Sequence, residues 1–360
     1  MADNKRILIA TGGTGGHIYP AMVTADELCR RGWDVSFAGN FASSGGILAA
    51  RGFKYFNIFS RGFVSKNLWQ KFLASIYLVK AFFSCAGIIL RIKPAVILGF
   101  GGYSSFPCVI AGKLWNIPSM IHEQNVCPGE ANKALARVVK KVAISFRDSA
   151  KDFPTGKTVL TGCPMRSMRS GHSRGQILKQ FGLQENRKTV LVFGGSQGSR
   201  AINDCAVSCF EKSCILMPYQ VIHLSGKSGF SELAQRYERL SFPSFVAAYL
   251  DHIEDAYAVS DCVIGRSGAG TVTELGLLGI PSILIPYPYA KSHQEANAQV
   301  LVRQMAAEII HEKDLNPSLL GDKIFIALTN AASRKALRLK LAEEIVSNAV
   351  SRLADEVECL

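Results

Sequence analysis

The feature that most constrains the fold is a short apolar strand followed by a glycine-rich turn and a helix. Residues 261–264 predict the strand end, residues 265–268 the turn, and a helix opens near Ala269 to Thr271. Backbone N–H groups converge in such a turn, and the helix start adds free N–H groups and the positive end of a dipole. The combination suits a diphosphate. The alternative is an ordinary βαβ unit whose glycines serve only the turns.

The polar residues after this turn include a candidate partner for sugar hydroxyls. Glu274 lies about one turn into the predicted helix, where its carboxylate can accept hydrogen bonds from sugar hydroxyls. The apolar run at residues 282–286 predicts a buried strand. After it, His293, Gln294 and Asn297 open another helix, and the last two share one helix face.

The N-terminal half begins with the same arrangement. Residues 5–10 predict a strand, residues 11–17 form a glycine-dense turn, and a helix over about 18–31 ends at Gly32. A second strand at residues 35–39 completes the opening of a doubly wound α/β domain. The turn is not GxGxxG, and no acidic residue closes the second strand, so an NAD site is disfavoured.

The pattern restarts in the second half, and this predicts two domains. Glycine-rich or polar clusters come after further strands at residues 100–107, 122–125 and 194–199, the position where open α/β sheets bind ligands. A chain of 360 residues also exceeds what one hydrophobic core usually supports. We predict an α/β protein with two Rossmann-like, doubly wound domains, over 1–162 and 163–340, facing a shared ligand cleft. A last helix over about 334–358 can cross back, so that its part from about 341 to 360 packs on the first domain.

The net charge of +13 is concentrated in the first domain. Residues 1–162 carry 20 Lys and Arg against 8 Asp and Glu, whereas residues 163–360 carry 21 against 20. No acidic residue lies between Asp34 and Glu123. Such a field implies an anionic partner, which is nucleic acid, acidic lipid or an anionic substrate. Nucleic acid is disfavoured, because the chain has no RNA- or DNA-binding motif.

A long apolar helix is predicted inside this acid-free region, at residues 68–90. Its candidate membrane-contact residues are Lys71, Phe72, Ile76, Lys80 and Phe83. A transmembrane span is disfavoured, because the central Lys80 would cost about 2.5–3.5 kcal/mol. The pattern favours an amphipathic helix lying in an anionic membrane surface, where each basic residue contributes roughly 1 kcal/mol. The alternative is a buried crossover helix.

Composition and spacing disfavour several other classes. Ten cysteines without paired spacing favour a reducing cytoplasm over a disulfide framework. Cys and His do not cluster at the spacing of metal ligands, and no Asp-x-Asp pair occurs. We therefore expect neither a cofactor nor a metal on the diphosphate. The polar start at residues 1–6 passes directly into a strand, which does not fit a signal peptide.

Five motifs, taken together and in order, resemble the MurG family, the bacterial UDP-N-acetylglucosamine transferases of peptidoglycan assembly. They are residues 12–17, 101–103, 122–125, 194–198 and 266–274. The resemblance covers nearly the whole chain and implies an inverting GT-B glycosyltransferase. Its implied reaction moves N-acetylglucosamine (GlcNAc) from UDP-GlcNAc to the 4-hydroxyl of N-acetylmuramic acid (MurNAc) in undecaprenyl-diphospho-muramoyl-pentapeptide (lipid I), which gives lipid II. The alternative is a related GT-B transferase acting on another membrane lipid, such as diacylglycerol.

The resemblance also implies roles for individual residues. His17 is the candidate general base; in the rival interpretation it orients phosphate or sugar, and Glu123 is the base or an orienting group. Tyr103 and His122 are assigned to the acceptor side, as shaping or chemical groups. The residues assigned to UDP-GlcNAc are Thr14, Gly15, Gly16, Asn125, Arg166, Ser196, Leu250, Ala269, Gly270, Thr271, Val272, Thr273, Glu274, Gln294 and Asn297.

Partners and location are implied by the same resemblance. It implies UDP-GlcNAc and lipid I as substrates and other cell-wall and division proteins as partners, without identifying them. It places the protein peripherally on the cytoplasmic face of the bacterial inner membrane. The basic, acid-free N-terminal half agrees with an anionic lipid acceptor.

Overall fold

The computed structural model divides the chain into two compact units. Unit 1 comprises Met1–Arg166 and Val346–Leu360, and unit 2 comprises Ser167–Ile345. The structure describes residues 5–12, 15–42, 45–58, 68–195, 197–212, 214–215, 217–227, 229–289, 293–329, 334–342 and 344–360, with the side chains of 68–75 and 334–335 left aside.

Unit 1 contains a parallel sheet of seven strands within its described residues. The strands are β1 (Arg6–Ala10), β2 (Asp34–Gly39), β3 (Lys54–Asn57), β4 (Val96–Gly99), β5 (Ser119–Glu123), β6 (Lys141–Ile144) and β7 (Thr158–Leu160). Their order is β3-β2-β1-β4-β5-β6-β7. The helices are α1 (Gly15–Arg30), α2 (Gly45–Ala50), α3 (Leu68–Ile92), α4 (Gly102–Leu114) and α5 (Glu130–Leu135), with a 3₁₀ turn at Arg147–Asp152.

Alternating side chains of β1 supply two cores, one on each face of this sheet. Ile7 and Ile9 pack with α1, whereas Leu8 and Ala10 pack on the face covered by α3 and α4. Because both faces are covered by helices, the two central strands are apolar, β1 after Arg6 and β4 throughout.

Unit 2 contains a parallel sheet of six strands within its described residues. The strands are β8 (Lys188–Phe193), β9 (Tyr219–Leu224), β10 (Ser244–Ala247), β11 (Cys262–Gly265), β12 (Ser282–Leu284) and β13 (Ala307–Ile309), in the order β10-β9-β8-β11-β12-β13. The helices are α6 (Arg174–Gln180), α7 (Arg200–Glu211), α8 (Phe230–Tyr237), α9 (Ile253–Val259), α10 (Ala269–Leu278), α11 (His293–Val302), α12 (Pro317–Thr329) and α13 (Arg334–Leu341), with a 3₁₀ turn at Glu312–Asp314.

The strand order reverses direction once in each sheet. In unit 1 the reversal lies between β1 and β4, and in unit 2 it lies between β8 and β11. Loops leave the carboxyl ends of such neighbouring strands in opposite directions, which opens a crevice where doubly wound folds bind ligands. The glycine-rich turns at residues 11–17, 100–102, 194–199 and 265–268 come directly after these four strands.

The C-terminal segment differs from the single helix predicted over residues 334–358. The structure places two helices there, α13 in unit 2 and α14 (Ala349–Glu358) in unit 1. Ser347 and Asn348 lie at the break, and such residues favour helix caps over helix interiors. The helix expected from about 341 to 360 is therefore shorter than predicted.

Helix α14 packs on α1 in unit 1. Its Leu353, Ala354 and Val357 are fully or almost fully buried in the same core as α1. Arg31 also pairs with Asp355 at 2.6 Å and with Glu358 at 2.9 Å. Apolar burial carries most of this attachment, since exposed ion pairs contribute little.

Candidate active site

The first group of predicted site residues lies where β1, β4 and β5 end in unit 1. Gly15 and Gly16 begin α1, and His17 is the next residue in its first turn. Gly101 has a φ of 82°, and a Cβ there would lie 3.5 Å from Cδ2 of His17. The positive φ favours glycine here, and the 3.5 Å distance is an ordinary van der Waals contact with the ring. The turn after β4 therefore lies beside His17. Thr14 lies outside the described residues.

His17 has the protonation state that a general base needs. Its side chain is half-buried, and burial lowers its pKa below the ordinary 6.5. Burial acts in this direction because it disfavours the charged imidazolium. The ring is therefore neutral near pH 7 and can accept a proton.

Glu123, by contrast, organises the loop after β5. One carboxylate oxygen accepts hydrogen bonds from the backbone N–H of Asn125 at 2.9 Å and its Nδ2 at 3.2 Å. The other accepts from the Gly129 N–H at 3.1 Å and from Asn132 Nδ2 at 2.8 Å. Burial raises the pKa of Glu123, although these hydrogen bonds act to lower it. With both oxygens engaged and 2% exposure, this carboxylate holds the loop in place.

His122 is fixed between Gln124, just after β5, and Gly162, just after β7. Its Nε2 lies 2.9 Å from the Gly162 carbonyl oxygen, and its Nδ1 lies 3.1 Å from Gln124 Nε2. The ring thus donates from Nε2 and accepts at Nδ1, which is the neutral form. Burial lowers its pKa to about 4. His122 supports the loop and is fully buried.

Three buried polar atoms at this sheet edge have no hydrogen-bond partner among the described residues. They are Thr11 Oγ1, Gln124 Oε1 and Asn132 Oδ1. Buried polar atoms are normally paired with protein or water, so these three are the unsatisfied side-chain groups of this sheet edge within the described residues.

The second group surrounds the start of α10 in unit 2. Gly268 is its N-cap with extended backbone angles, so Ala269, Gly270 and Thr271 form the first turn. The Ser267 hydroxyl is fully buried and has no partner among the residues described. The free N–H groups and dipole of a helix start favour an anion. Val272 and Thr273 are buried and serve the core.

The Arg266 guanidinium is occupied by the protein itself. It donates to the Ile285 and Pro286 carbonyl oxygens at 3.1 and 3.2 Å and to Ser199 Oγ at 2.7 Å. It also pairs with the Glu312 carboxylate. These contacts join the turn before α10 to the N-cap of α7 and the end of β12. Arg266 therefore acts as a brace, which here means that its contacts hold these three elements together.

Glu274 and Asn297 are also positioned by neighbours. The Tyr257 hydroxyl donates to Glu274 Oε2 at 2.7 Å, which fixes the carboxylate on α10. Asn297 Nδ2 donates to the Ser267 carbonyl oxygen at 3.2 Å, so α11 supports the turn before α10. Both contacts bring predicted residues to the same sheet edge.

Known proteins resemble this chain over nearly its full length. The glycosyltransferase family 28 N-terminal domain matches residues 7–144, and the family 28 C-terminal domain matches residues 189–353. The crystal structure of Acinetobacter baumannii MurG has a TM-score of 0.78 and 26% identity, and covers 99% of this chain and 100% of that one. Transferases of Thermodesulfovibrio yellowstonii and Bacillus licheniformis are 37% and 35% identical, over 89% and 97% of this chain and 88% and 96% of theirs.

Both transferases are named UDP-N-acetylglucosamine–N-acetylmuramyl-(pentapeptide) pyrophosphoryl-undecaprenol N-acetylglucosamine transferase. The chain belongs to the MurG family. This membership confirms the predicted family, the glycosyltransferase class and the GT-B fold class.

The structure places the remaining residues assigned from the MurG pattern as follows. Gln294 Oε1 accepts from the Tyr287 N–H at 3.0 Å, on the loop after β12. Arg166 is exposed at the end of unit 1, and Leu250 is half-buried after β10. Tyr103, 38% exposed, is the second residue of α4. Ser196 lies outside the described residues.

Asn132 and Tyr257 support the MurG-type site but were missed in the sequence. Asn132 lies on α5, nine residues after the glutamate that it holds, and Tyr257 lies on α9, before β11. No local pattern marks either residue, because each contact joins two separate elements. A polar residue on a buried helix face was the available signal.

Helix α3 is the crossover between β3 and β4, and it also exposes an apolar stripe. Ile76, Val79, Phe83 and Leu90 are 37%, 55%, 68% and 55% exposed. Lys80 is exposed on the same face, while Ala81, Cys85 and Ile89 face the core. The side chains of Lys71 and Phe72 lie outside the described residues.

The described residues hold neither a candidate membrane span nor a candidate metal cluster. Within them, no helix is long and apolar enough to cross a membrane. Nor does that part of the chain hold three or more His, Cys, Asp or Glu side chains grouped for a metal ion. The absence of a metal from the reaction stays a prediction.

Proposed function

We propose that this protein transfers GlcNAc from UDP-GlcNAc to the 4-hydroxyl of MurNAc in lipid I, with inversion, to give lipid II. The carrying observation is its membership of the MurG family across both units, with relatives named for this transfer at 35–37% identity. The predicted acceptor and donor sites each fall at a sheet crevice of the described fold. No observation favours a diacylglycerol acceptor.

Unit 1 is the proposed acceptor-binding part, with His17 as general base. A neutral imidazole in a glycine turn can take the proton of a sugar hydroxyl as that oxygen becomes nucleophilic. Glu123 is less suited to be the general base, because its carboxylate already accepts hydrogen bonds from four donors. Its proposed role is to position the loop that carries Asn125.

Unit 2 is the proposed donor-binding part. The diphosphate would lie at the start of α10, where the backbone N–H groups of the first turn favour an anion. Glu274, held by Tyr257, would accept hydrogen bonds from the ribose hydroxyls. Arg266 would contribute through the brace that it forms, since its guanidinium is already paired.

The proposed step is a single displacement at the anomeric carbon of GlcNAc. The acceptor oxygen forms the new C–O bond as its proton passes to His17. The bond between the anomeric carbon and the diphosphate breaks, and UDP leaves with that electron pair. Attack opposite the leaving group inverts the α-linked donor to a β-linked product. The helix start stabilises the charge that develops on UDP.

A peripheral membrane position is proposed for α3. Its exposed apolar stripe would enter the interfacial region, with Lys80 near anionic headgroups. The stripe and the acid-free region favour the cytoplasmic membrane face that a lipid-linked acceptor requires. The substitution Phe83→Glu is expected to lower co-sedimentation with vesicles containing anionic lipid several-fold. Leu339→Glu is the matched control, because Leu339 in unit 2 is also 68% exposed; equal losses would refute the assignment.

The transfer reaction is tested with labelled UDP-GlcNAc and a short-chain lipid I analogue. We expect the wild type to form a β-linked disaccharide, and both His17→Ala and Glu274→Ala to lose most of the activity. UDP binding should weaken only in Glu274→Ala, because His17 is assigned to the acceptor side. If UDP-GlcNAc binds but no transfer occurs, the acceptor is wrong, and diacylglycerol is the next substrate. If Glu274→Ala binds UDP as tightly as the wild type, the donor site is wrong.

A further inference from the structure

A chain of four buried polar groups in unit 2 has one consistent direction. Tyr237 Oη lies 2.8 Å from His223 Nδ1, and His223 Nε2 lies 3.1 Å from Asn203 Oδ1. Asn203 Nδ2 donates to the Ser225 carbonyl oxygen at 2.8 Å. Because that carbonyl can only accept, Asn203 Oδ1 must accept from His223 Nε2–H. His223 Nδ1 therefore carries no proton and accepts a hydrogen bond from the Tyr237 hydroxyl.

The burial of His223 supports this single arrangement. The ring is fully buried on β9, and burial lowers its pKa to about 3. It therefore stays neutral, with its proton on the nitrogen that faces Asn203. Because both ring nitrogens are hydrogen-bonded, the network specifies the orientation of the ring as well as filling space.

The network ends where two glycine turns touch. A Cβ on Gly198 would lie 2.3 Å from the Ser225 carbonyl oxygen, and one on Gly226 would lie 2.5 Å from the Gly198 Cα. Both glycines have positive φ, at 77° and 82°. The turn after β8 therefore rests directly on the turn after β9. The Ser225 carbonyl oxygen, which accepts from Asn203 Nδ2, is also the atom against which Gly198 packs.

Asn203 also lies in the first full turn of α7. Its N–H donates to the carbonyl oxygen of the N-cap residue Ser199 at 2.9 Å. Ser199 Oγ in turn accepts from Arg266, on the turn before α10. The Asn203 side chain thus connects the start of α7 to the turn after β9. Ser199 connects the start of α7 to the turn before α10.

We propose that His223 is a positioning residue for donor binding, which acts through Asn203 to hold the glycine turns beside the nucleotide diphosphate. The inference rests on the proposed function, which places UDP-GlcNAc in unit 2. His223 itself is buried behind the turns and does not contact the donor. It sets the direction of the Asn203 amide, and the amide sets the separation of the two turns.

Two substitutions of similar size separate this role from simple packing. His223→Gln places an amide nitrogen near the original Nε2 and keeps the donor to Asn203. His223→Asn keeps a polar group near the original Nδ1, beside Tyr237, and loses the donor to Asn203. We expect the Kd for UDP to stay within about twofold in the first variant and to rise about tenfold in the second. KM for the acceptor should stay unchanged in both.

The measurements are UDP calorimetry, donor and acceptor KM, thermal unfolding, and hydrogen exchange of residues 197–203. Exchange there should increase in His223→Asn and stay at the wild-type rate in His223→Gln. Equal UDP affinity in the two variants, whether both weak or both tight, would overturn the inference. If the wild type does not bind UDP, the proposed donor site fails first and this inference fails with it.

A third variant is needed in case His223→Asn does not fold. Tyr237→Phe removes the hydroxyl that pairs with Nδ1 and keeps the ring packing. His223 then still donates from Nε2 to Asn203 Oδ1, but the ring loses the second hydrogen bond that fixes its orientation. We expect the Kd for UDP to rise about twofold or more. Wild-type affinity together with wild-type exchange at residues 197–203 would overturn the inference.

Discussion

The substitution Glu123→Gln tests whether this carboxylate organises the acceptor loop or acts as the base. The native carboxylate accepts hydrogen bonds from four N–H groups, of Asn125, Gly129 and Asn132. A glutamine amide has one accepting oxygen, so two of the four donors would face an NH₂ group instead. Each buried donor left without an acceptor costs about 1–3 kcal/mol.

The net loss is smaller than the sum of these two costs. Burial raises the pKa of Glu123, so removing the charge recovers part of its desolvation penalty. We expect the free energy of unfolding to fall by about 2–4 kcal/mol. For a unit of this size, the midpoint of thermal unfolding should fall by about 5–10 °C.

The assay combines calorimetric unfolding with transfer kinetics at a temperature where the variant is folded. Glu130→Gln is the matched control, since Glu130 is exposed and its ion pair with Lys133 is solvated. An organising role predicts a raised acceptor KM together with the stability loss in Glu123→Gln. An unchanged free energy of unfolding with kcat lowered by more than about 100-fold would refute this reasoning and assign the base to Glu123.

Contacts and pKa shifts in the two units support three further predictions. Tyr257→Phe removes the donor to Glu274 and should raise the Kd for UDP about three- to tenfold in calorimetry. Burial lowers the pKa of His122 to about 4 and of His223 to about 3, from 6.5. Their stabilising contribution is complete above pH 6.5 and is lost as the pH falls towards 3, so unfolding free energies from urea titrations should decrease over that range. Burial lowers the pKa of His17, so the acid limb of kcat/KM should lie below pH 6.5, and a limb above 6.5 would contradict its role as base.

The parts of the fold that local pattern determines were predictable from the sequence. A strand, a glycine turn and a helix start are encoded within about 15 residues, so β1, β8, β11 and α10 were located to within a residue or two, whereas α1 begins at Gly15, earlier than the predicted start near residue 18. Helix α3 was also expected, at residues 68–90, and the structure has it at Leu68–Ile92. The sequence pattern left open whether α3 is a buried crossover or a surface helix. The structure makes it a crossover with one apolar face exposed.

Contacts between distant elements could not be predicted in the same way. The Glu123 loop depends on Asn132 from α5, and Glu274 depends on Tyr257 from α9. Neither partner belongs to a periodic pattern or a glycine turn. Likewise, the break at Asn348 was missed, because the charged helical pattern continues on both sides of it. The roles assigned to individual site residues stay predictions until variants are measured.

In the proposed reaction the two units, which share one strand order over six strands, serve different chemistry, and the reason lies in the residues at the carboxyl ends of their central strands. In unit 1, β5 ends in His122 and Glu123, whose burial keeps one ring neutral and one carboxylate fully engaged near His17. In unit 2, β11 ends in a turn whose arginine is already paired, which leaves the backbone N–H groups at the start of α10 for an anion. A neutral base and a preformed anion site are the two requirements of a displacement that releases UDP. The repeated fold therefore supplies two crevices, and a few buried polar side chains decide which half of the reaction each can serve.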